Sequence, residues 1–140
     1  MKQLVFKKNQ KINKKMIFVS KENLSHNYRQ IDKLSGDSKI ISVIKGDGYG
    51  HGLLECCKIL KTNKCKDFYV ARLDDAIKLR ENFKNINIYF LSGVISNNDL
   101  KEIKKYKIIP IINNVDQLSL LKTSQKLKYV LHIDTGMNRL

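Results

Sequence analysis

Apolar segments with strand character alternate with segments of helical periodicity along nearly the whole chain, and no other feature limits the possible folds as much. Short β-branched and aromatic runs predict strands at residues 40–44, 68–71, 86–91, 108–112 and 128–133. Apolar residues at helical spacing predict helices at residues 23–34, 53–61, 73–83, 97–106 and 115–124.

This alternation predicts an α/β fold with a parallel sheet, because strand and helix repeat about every 20–25 residues, as in βαβ units. Several strand segments are continuously apolar, which is typical of strands covered on both faces. The pattern alone fits an open doubly wound sheet as well as a barrel.

The composition indicates one folded domain with an excess of lysine. The chain has 140 residues, of which 42% are hydrophobic, enough for a core. The formal net charge is +14, but every basic residue except Arg29, Arg72, Arg80 and Arg139 is a lysine. Nucleic-acid readers usually rely on the planar guanidinium of arginine. We therefore expect solvated lysines and no nucleic-acid partner.

Membrane and secretion signals are not evident in the sequence. No apolar stretch approaches the length of a membrane span, and residues 1–18 are basic without the apolar core of a secretory signal. The expectation is a soluble, cytoplasmic protein that does not associate with a membrane.

The cysteines and histidines do not predict a metal site. Cys56 and Cys57 are adjacent, Cys65 follows eight residues later, and none has C-x-x-C spacing. The three histidines are scattered and lack the spacing of a ligand pair. We expect no metal, and buried thiols for the adjacent pair in the helix at 53–61.

The segment IISVIKGDGYGHG, residues 40–52, ends an apolar strand on Lys45 and continues into a loop with four glycines. A phosphate-binding P-loop places its lysine after the glycines, and a dinucleotide-binding loop needs a glycine where His51 stands, so both motifs are excluded.

Lys45 is then an amine at the carboxyl end of a strand, the edge that faces the ligand in α/β folds. An amine with a lowered pKa can form a Schiff base with an aldehyde. The residues by themselves leave a second possibility open, a lysine that forms a salt bridge at the rim of the sheet.

Four segments resemble the alanine racemase family. Residues 45–52, KGDGYGHG, resemble its pyridoxal-phosphate attachment motif, and SHNYR at 25–29 resembles the helix before that strand. DTGMNRL at 134–140 resembles the signature after the fifth strand, and the weaker VARLDDA at 70–76 fits the segment after the second.

The resemblance implies a TIM-type (β/α)8 barrel that is incomplete, since the chain holds about the first five βα units. The domain organisation expected from it is a basic N-terminal segment at 1–18 and the N-terminal part of the barrel at 19–140. The C-terminal half of the barrel and the family's β-domain would be absent. We therefore expect a truncated fragment that is inactive alone.

The resemblance also implies the site residues. Lys45 would be the catalytic Schiff-base lysine, which also removes the α-proton of the D-enantiomer. Tyr49 would lie near the cofactor phosphate, and Leu91 would form part of the apolar wall against the ring. Arg139 would bind both the cofactor and the substrate carboxylate, and Met137 would lie near that carboxylate.

Three positions beside these residues carry further expectations. Asp134 is expected to order its loop rather than to perform chemistry. Gly46 and Gly48 stand where the family often has alanine, which would cost about 0.5–1 kcal/mol each in a helical or extended segment. His132 stands where many members have a carbamylated lysine that steadies the arginine.

The activity implied by the resemblance is the pyridoxal 5'-phosphate-dependent interconversion of L- and D-alanine, which supplies D-alanine for peptidoglycan. A homodimer is implied too, with a second catalytic tyrosine from the partner's β-domain. The alternatives are a non-racemising pyridoxal-phosphate barrel protein and, with less support, a basic nucleic-acid-binding module.

Overall fold

A computed structural model of the chain describes residues 4–6, 17–122, 127–136 and 138. Two short strands, β1 (Leu4–Phe6) and β2 (Ile17–Val19), pair antiparallel near the N-terminus. The elements that follow are listed in chain order: α1 (Lys21–Ser35), β3 (Ser42–Val43), α2 (Lys45–Tyr49), α3 (Leu53–Thr62), β4 (Asp67–Val70), α4 (Leu73–Asn82), β5 (Asn87–Phe90), α5 (Asn97–Lys105), β6 (Ile109–Ile112), α6 (Val115–Leu121) and β7 (Val130–Leu131).

The main sheet has five parallel strands in the order β3-β4-β5-β6-β7. Spatial order therefore follows chain order, as in the first part of a (β/α)8 barrel, whereas a doubly wound sheet reverses its strand order at a switch point. The predicted α/β fold with a parallel sheet is confirmed, and the barrel form is the one that the strand order supports.

Helices cover one face of the sheet, and alternate residues of the strands form the core there. Phe68, Val70, Ile88 and Ile112 are fully buried on this face. The residues between them point to the opposite face, since successive side chains of a strand alternate. Among the opposite set, Tyr69, Tyr89 and Ile109 are only half-buried. The two tyrosine rings pack in a tilted arrangement, with centroids 5.1 Å apart and an interplanar angle of 60°.

A buried carboxylate lies at the amino end of this opposite face. Asp67, 4% exposed, accepts bonds from Lys39 Nζ at 2.8 Å, Asn87 Nδ2 at 2.7 Å and the Tyr89 hydroxyl at 3.1 Å. Burial by itself would raise the pKa of Asp67, but these three donors stabilise the charged form and hold the pKa below its usual value.

The predicted helices and strands are all present, with some differences at their ends. β3 and β7 are shorter than predicted, and the sequence did not predict the pairing of β1 with β2. In α1, Ile31 and Leu34 keep the helical spacing of apolar residues that predicts the helix, but they are 54% and 82% exposed. The described helices all fall short of the length and apolar character that a membrane span requires.

The adjacent thiols of α3 are buried, as predicted. Cys57 is fully buried and Cys56 and Cys65 nearly so, and all three are free thiols. Burial, aided by the neighbouring Cys65 thiol, raises the pKa of the Cys57 thiol to about 12. In the part of the chain that the structure describes, no cluster of acidic, histidine and cysteine side chains could hold a metal ion.

Candidate active site

Lys45 lies at the carboxyl end of β3, one residue beyond the last residue bonded to the sheet. The main-chain N–H of Ile44 donates to the carbonyl of Tyr69 at 2.9 Å, and Ile44 itself is buried in the core. Lys45 is half-buried, and within the described residues no carboxylate forms an ion pair with it. The alternative role of Lys45, a salt bridge at the rim of the sheet, therefore has no carboxylate partner in this part of the chain.

The chain after Lys45 forms a left-handed turn. Five consecutive residues have positive φ, with values of 59° at Gly46, 55° at Asp47, 63° at Gly48, 54° at Tyr49 and 84° at Gly50. In this region an L-residue with a Cβ costs about 1–2 kcal/mol, whereas glycine enters it freely. The cost expected for Gly46 and Gly48 in a helical or extended segment does not apply, because the backbone is left-handed at both positions and favours glycine there.

Hydrogen bonds hold the turn against the start of α3. The carboxylate of Asp47 accepts from the N–H of Leu53, the first residue of α3, at 2.9 Å, and the Asp47 carbonyl accepts from Gly52 at 2.8 Å. Since Gly52 has no side chain to cap this helix, Asp47 supplies the cap from the turn. The Nδ1 atom of His51 contacts the carbonyl of Gly48 at 2.9 Å.

Tyr49 is the last non-glycine residue of the turn and is 61% exposed. It borders a cavity of about 530 Å³ between the turn, the end of β2 and the first turns of α1. Besides Tyr49, residues that line this cavity include Phe18, Asn23, Asn27, His51 and Cys56. The turn thus presents a phenol and an imidazole beside an opening at the carboxyl edge of the sheet.

Leu91 follows β5 at the same edge and is half-buried. Its N–H donates to the Val70 carbonyl at 2.9 Å, and its own carbonyl accepts from Nδ2 of Asn113 at 2.9 Å. Oδ1 of the same Asn113 lies 3.1 Å from Nδ1 of His132, which follows β7. One amide side chain therefore joins the ends of β5, β6 and β7.

A second amide, that of Gln117 in α6, stabilises the same region by hydrogen bonds. Its Oε1 accepts from the Asn113 N–H and its Nε2 donates to the Ser92 carbonyl, both at 2.9 Å. A Cβ at Gly93 would lie 2.2 Å from Gln117 Oε1, so only glycine fits beneath this amide. The position of Asn113 is therefore fixed from both sides.

The loop after β7 begins as expected, with Asp134 in an ordering role. Its Oδ1 accepts from the N–H groups of Gly136 at 2.9 Å and Asn138 at 3.1 Å. The two substrate-contacting residues predicted on this loop, Met137 and Arg139, lie outside the described residues. The structure brings Lys45, Tyr49 and Leu91 to one edge of the sheet.

Three residues at this edge were not predicted from the sequence to belong to a site. Asp47 carried no usable signal, because a capping residue normally stands immediately before its helix and Asp47 lies six residues before Leu53. By sequence, Asn113 and Asn114 are both possible caps of the helix that follows them, and Asn114 takes that role by accepting from the N–H of Gln117. His51 offered no signal beyond its place in the glycine loop.

These elements define a class of protein: a parallel βα barrel segment with a single lysine before a left-handed glycine turn at the carboxyl edge of its first strand. The family model of the alanine racemase N-terminal domain matches residues 19–140. The chain therefore belongs to that family, and the resemblance noted in the sequence is confirmed.

Similar proteins agree with this assignment. The chain is 40% identical over 127 residues to the alanine racemase of Clostridium kluyveri, covering 87% of this chain and 32% of the relative. It superposes on the alanine racemase structure from Acinetobacter baumannii with a TM-score of 0.77 at 29% identity, over 86% of this chain and 35% of the other.

A further structure, alanine racemase from Bartonella henselae with covalently bound pyridoxal phosphate, has a TM-score of 0.79 at 23% identity over 87% of this chain and 35% of its own. These neighbours confirm the predicted incomplete barrel. The chain spans about a third of the length of the relatives that it matches.

Proposed function

We propose that this chain carries the cofactor lysine of an alanine racemase, and that Lys45 binds pyridoxal 5'-phosphate covalently. The observation that carries the proposal is the place of Lys45, directly after the buried Ile44 and directly before the left-handed turn. An amine at this edge can condense with an aldehyde, forming a carbon–nitrogen double bond and releasing one water.

The residues at this edge fit the cofactor in their chemistry. Lys45 supplies an amine that no described carboxylate engages. Tyr49 supplies an exposed phenol that would hold the phosphate by a hydrogen bond. Leu91 supplies a half-buried apolar side chain that would pack against the ring. The Bartonella henselae relative carries the same cofactor by a covalent bond, which supports the assignment.

The activity that we infer for the whole protein is the racemisation of alanine. Pyridoxal phosphate, when bound, supplies an electron sink that allows a proton to leave the α-carbon of an amino acid. Lys45 would hold that proton on one face of the substrate. By the resemblance, Met137 and the planar guanidinium of Arg139 would orient the substrate carboxylate.

The wider setting is also part of the proposal. We infer a homodimeric, cytoplasmic racemase that provides D-alanine for peptidoglycan, with the second proton-transfer group on residues outside this chain. The 140 residues alone are then expected to bind the cofactor without turnover of L-alanine to D-alanine. Rapid production of D-alanine by the purified chain would contradict that expectation.

A titration with pyridoxal phosphate tests the proposal. The purified chain should develop a visible absorption band that Lys45→Ala abolishes and that Lys58→Ala, at an exposed lysine of α3, leaves unchanged. Equal bands in both variants would contradict the assignment of Lys45. A longer form that binds the cofactor but leaves L-alanine unchanged would instead favour the non-racemising barrel protein.

A further inference from the structure

His51 contacts the backbone of the turn with its own side chain. Its Nδ1 lies 2.9 Å from the carbonyl oxygen of Gly48, and its main-chain N–H donates to the same oxygen at 3.1 Å. A carbonyl oxygen only accepts hydrogen bonds, so Nδ1 must carry a proton here. Because Nδ1 stays protonated in this neutral tautomer and in the cation, the contact does not depend on the charge of the ring.

The left-handed turn needs such support, because two of its residues are not glycine. Asp47 and Tyr49 both adopt positive φ, where the Cβ approaches the following carbonyl. Asp47 is compensated by its own bond to the start of α3. Tyr49 has no comparable bond among the described residues, and it lies between Gly48 and the His51 contact.

We propose that His51 is a positioning residue, which fixes the Gly48 carbonyl and thereby the left-handed turn that separates Lys45 from Tyr49. The inference rests on the proposed function for its consequence, since the two residues that it positions are those assigned to the aldehyde and the phosphate of the cofactor. His51 has no assigned role in binding, and it is one of the residues that line the cavity beside the turn.

Three variants of the 140-residue chain test this role. His51→Leu removes the ring donor at similar bulk, and His51→Asn restores an N–H donor at nearly the reach of Nδ1. His26→Leu serves as the matched control, because His26 is exposed on α1. Two readouts are compared: the hydrogen exchange of the Gly50 and Gly52 amides, which bond within the turn, and the apparent affinity for pyridoxal phosphate.

His51→Leu should accelerate exchange of the two amides and weaken the affinity for pyridoxal phosphate, each by about three- to tenfold, the range expected for one lost hydrogen bond. His51→Asn should restore both, and His26→Leu should change neither. Unchanged exchange in His51→Leu would overturn the inference regardless of the cofactor, as would faster exchange with unchanged affinity.

The two proposals fail in different ways. A wild-type chain that forms no adduct with pyridoxal phosphate would contradict the proposed function, while the exchange of the Gly50 and Gly52 amides would still decide whether His51 fixes the turn. A failure of His51→Asn to restore slow exchange would show that the ring acts by packing alone, and would overturn the role of the hydrogen bond.

Discussion

Nδ1 of His132 lies 3.1 Å from Oδ1 of Asn113, and this contact joins the carboxyl ends of β6 and β7. The orientation of the Asn113 amide is fixed because its Nδ2 donates to the Leu91 carbonyl at 2.9 Å. Oδ1 must therefore face His132, whose Nδ1 carries the proton that it donates. At the edge of the sheet that presents Lys45, the side chain of Asn113 thus connects the ends of β5, β6 and β7 by hydrogen bonds.

Removing this amide should destabilise the fold. Asn113→Ala deletes the donor to Leu91 and the acceptor for His132, and leaves both groups unpaired in a half-buried place. We expect the free energy of unfolding in urea to fall by about 1–3 kcal/mol. Asn98→Ala, at an exposed position in α5, should change it by less than about 0.5 kcal/mol. Equal effects of the two variants would show that the hydrogen bonds of Asn113 do not contribute to the free energy of unfolding.

Alanine in the left-handed turn should lower the free energy of unfolding, and it should do so more at Gly48 than at Gly46. A Cβ at Gly46 meets no atom within 4 Å, so Gly46→Ala should cost only the backbone term of about 1–2 kcal/mol. A Cβ at Gly48 would lie 2.9 Å from Sγ of Cys56 as well.

Urea unfolding of both variants measures the difference. Adding Cys56→Ala should remove the steric part, so that Gly48→Ala costs less in that background than in the wild type. A Gly48→Ala variant as stable as Gly46→Ala would show that the contact with Cys56 relaxes freely.

The stability of the chain should fall in acid partly because of Asp67. The pKa of Asp67 is lower in the folded state than in the unfolded chain. Its contribution to the free energy of unfolding is therefore fully present above the unfolded pKa of about 3.9, and it is lost as the pH falls through the folded pKa. The difference in unfolding free energy between wild type and Asp67→Asn should therefore shrink between pH 7 and pH 3. A pH-independent difference would contradict this account, and Asp37→Asn, at an exposed position, provides the comparison.

The three cysteines should resist thiol reagents in the native state. Cys57 is fully buried, its pKa is raised to about 12 by burial and by the neighbouring Cys65, and the thiolate is the reactive form. A chromogenic disulfide reagent should detect all three thiols in denaturant and react with them only slowly without it. Rapid native reaction of any one thiol would place it nearer the surface than the structure does.

The sequence predicted the sheet and its helices because continuous apolar runs and helical periodicity both report burial. The prediction failed where a buried residue lies outside a regular strand and where residues at helical spacing are exposed. Ile44 belongs to the core but already has φ −124° and ψ 27°, so the strand ends before it. Ile31 and Leu34 keep the helical spacing of α1 but stay exposed, since no described element covers them.

The site was predictable in its lysine but not in its geometry. Glycines at 46, 48 and 50 indicate an unusual backbone, but only the positive φ values of Asp47 and Tyr49 show that the turn is left-handed at its non-glycine residues as well. Likewise the link between Asn113 and His132 depends on the register of β6 and β7, which local patterns do not specify.

Among the many lysines of the chain, Lys45 is the one that we propose to bind pyridoxal phosphate. Reduction of the chain with borohydride in the presence of stoichiometric cofactor, followed by peptide mass mapping, tests it most directly. We predict a phosphopyridoxyl group predominantly on the peptide that contains Lys45, and its loss when excess L-alanine competes. Label spread over the exposed lysines in proportion to their number, with Lys45 unmodified, would contradict it.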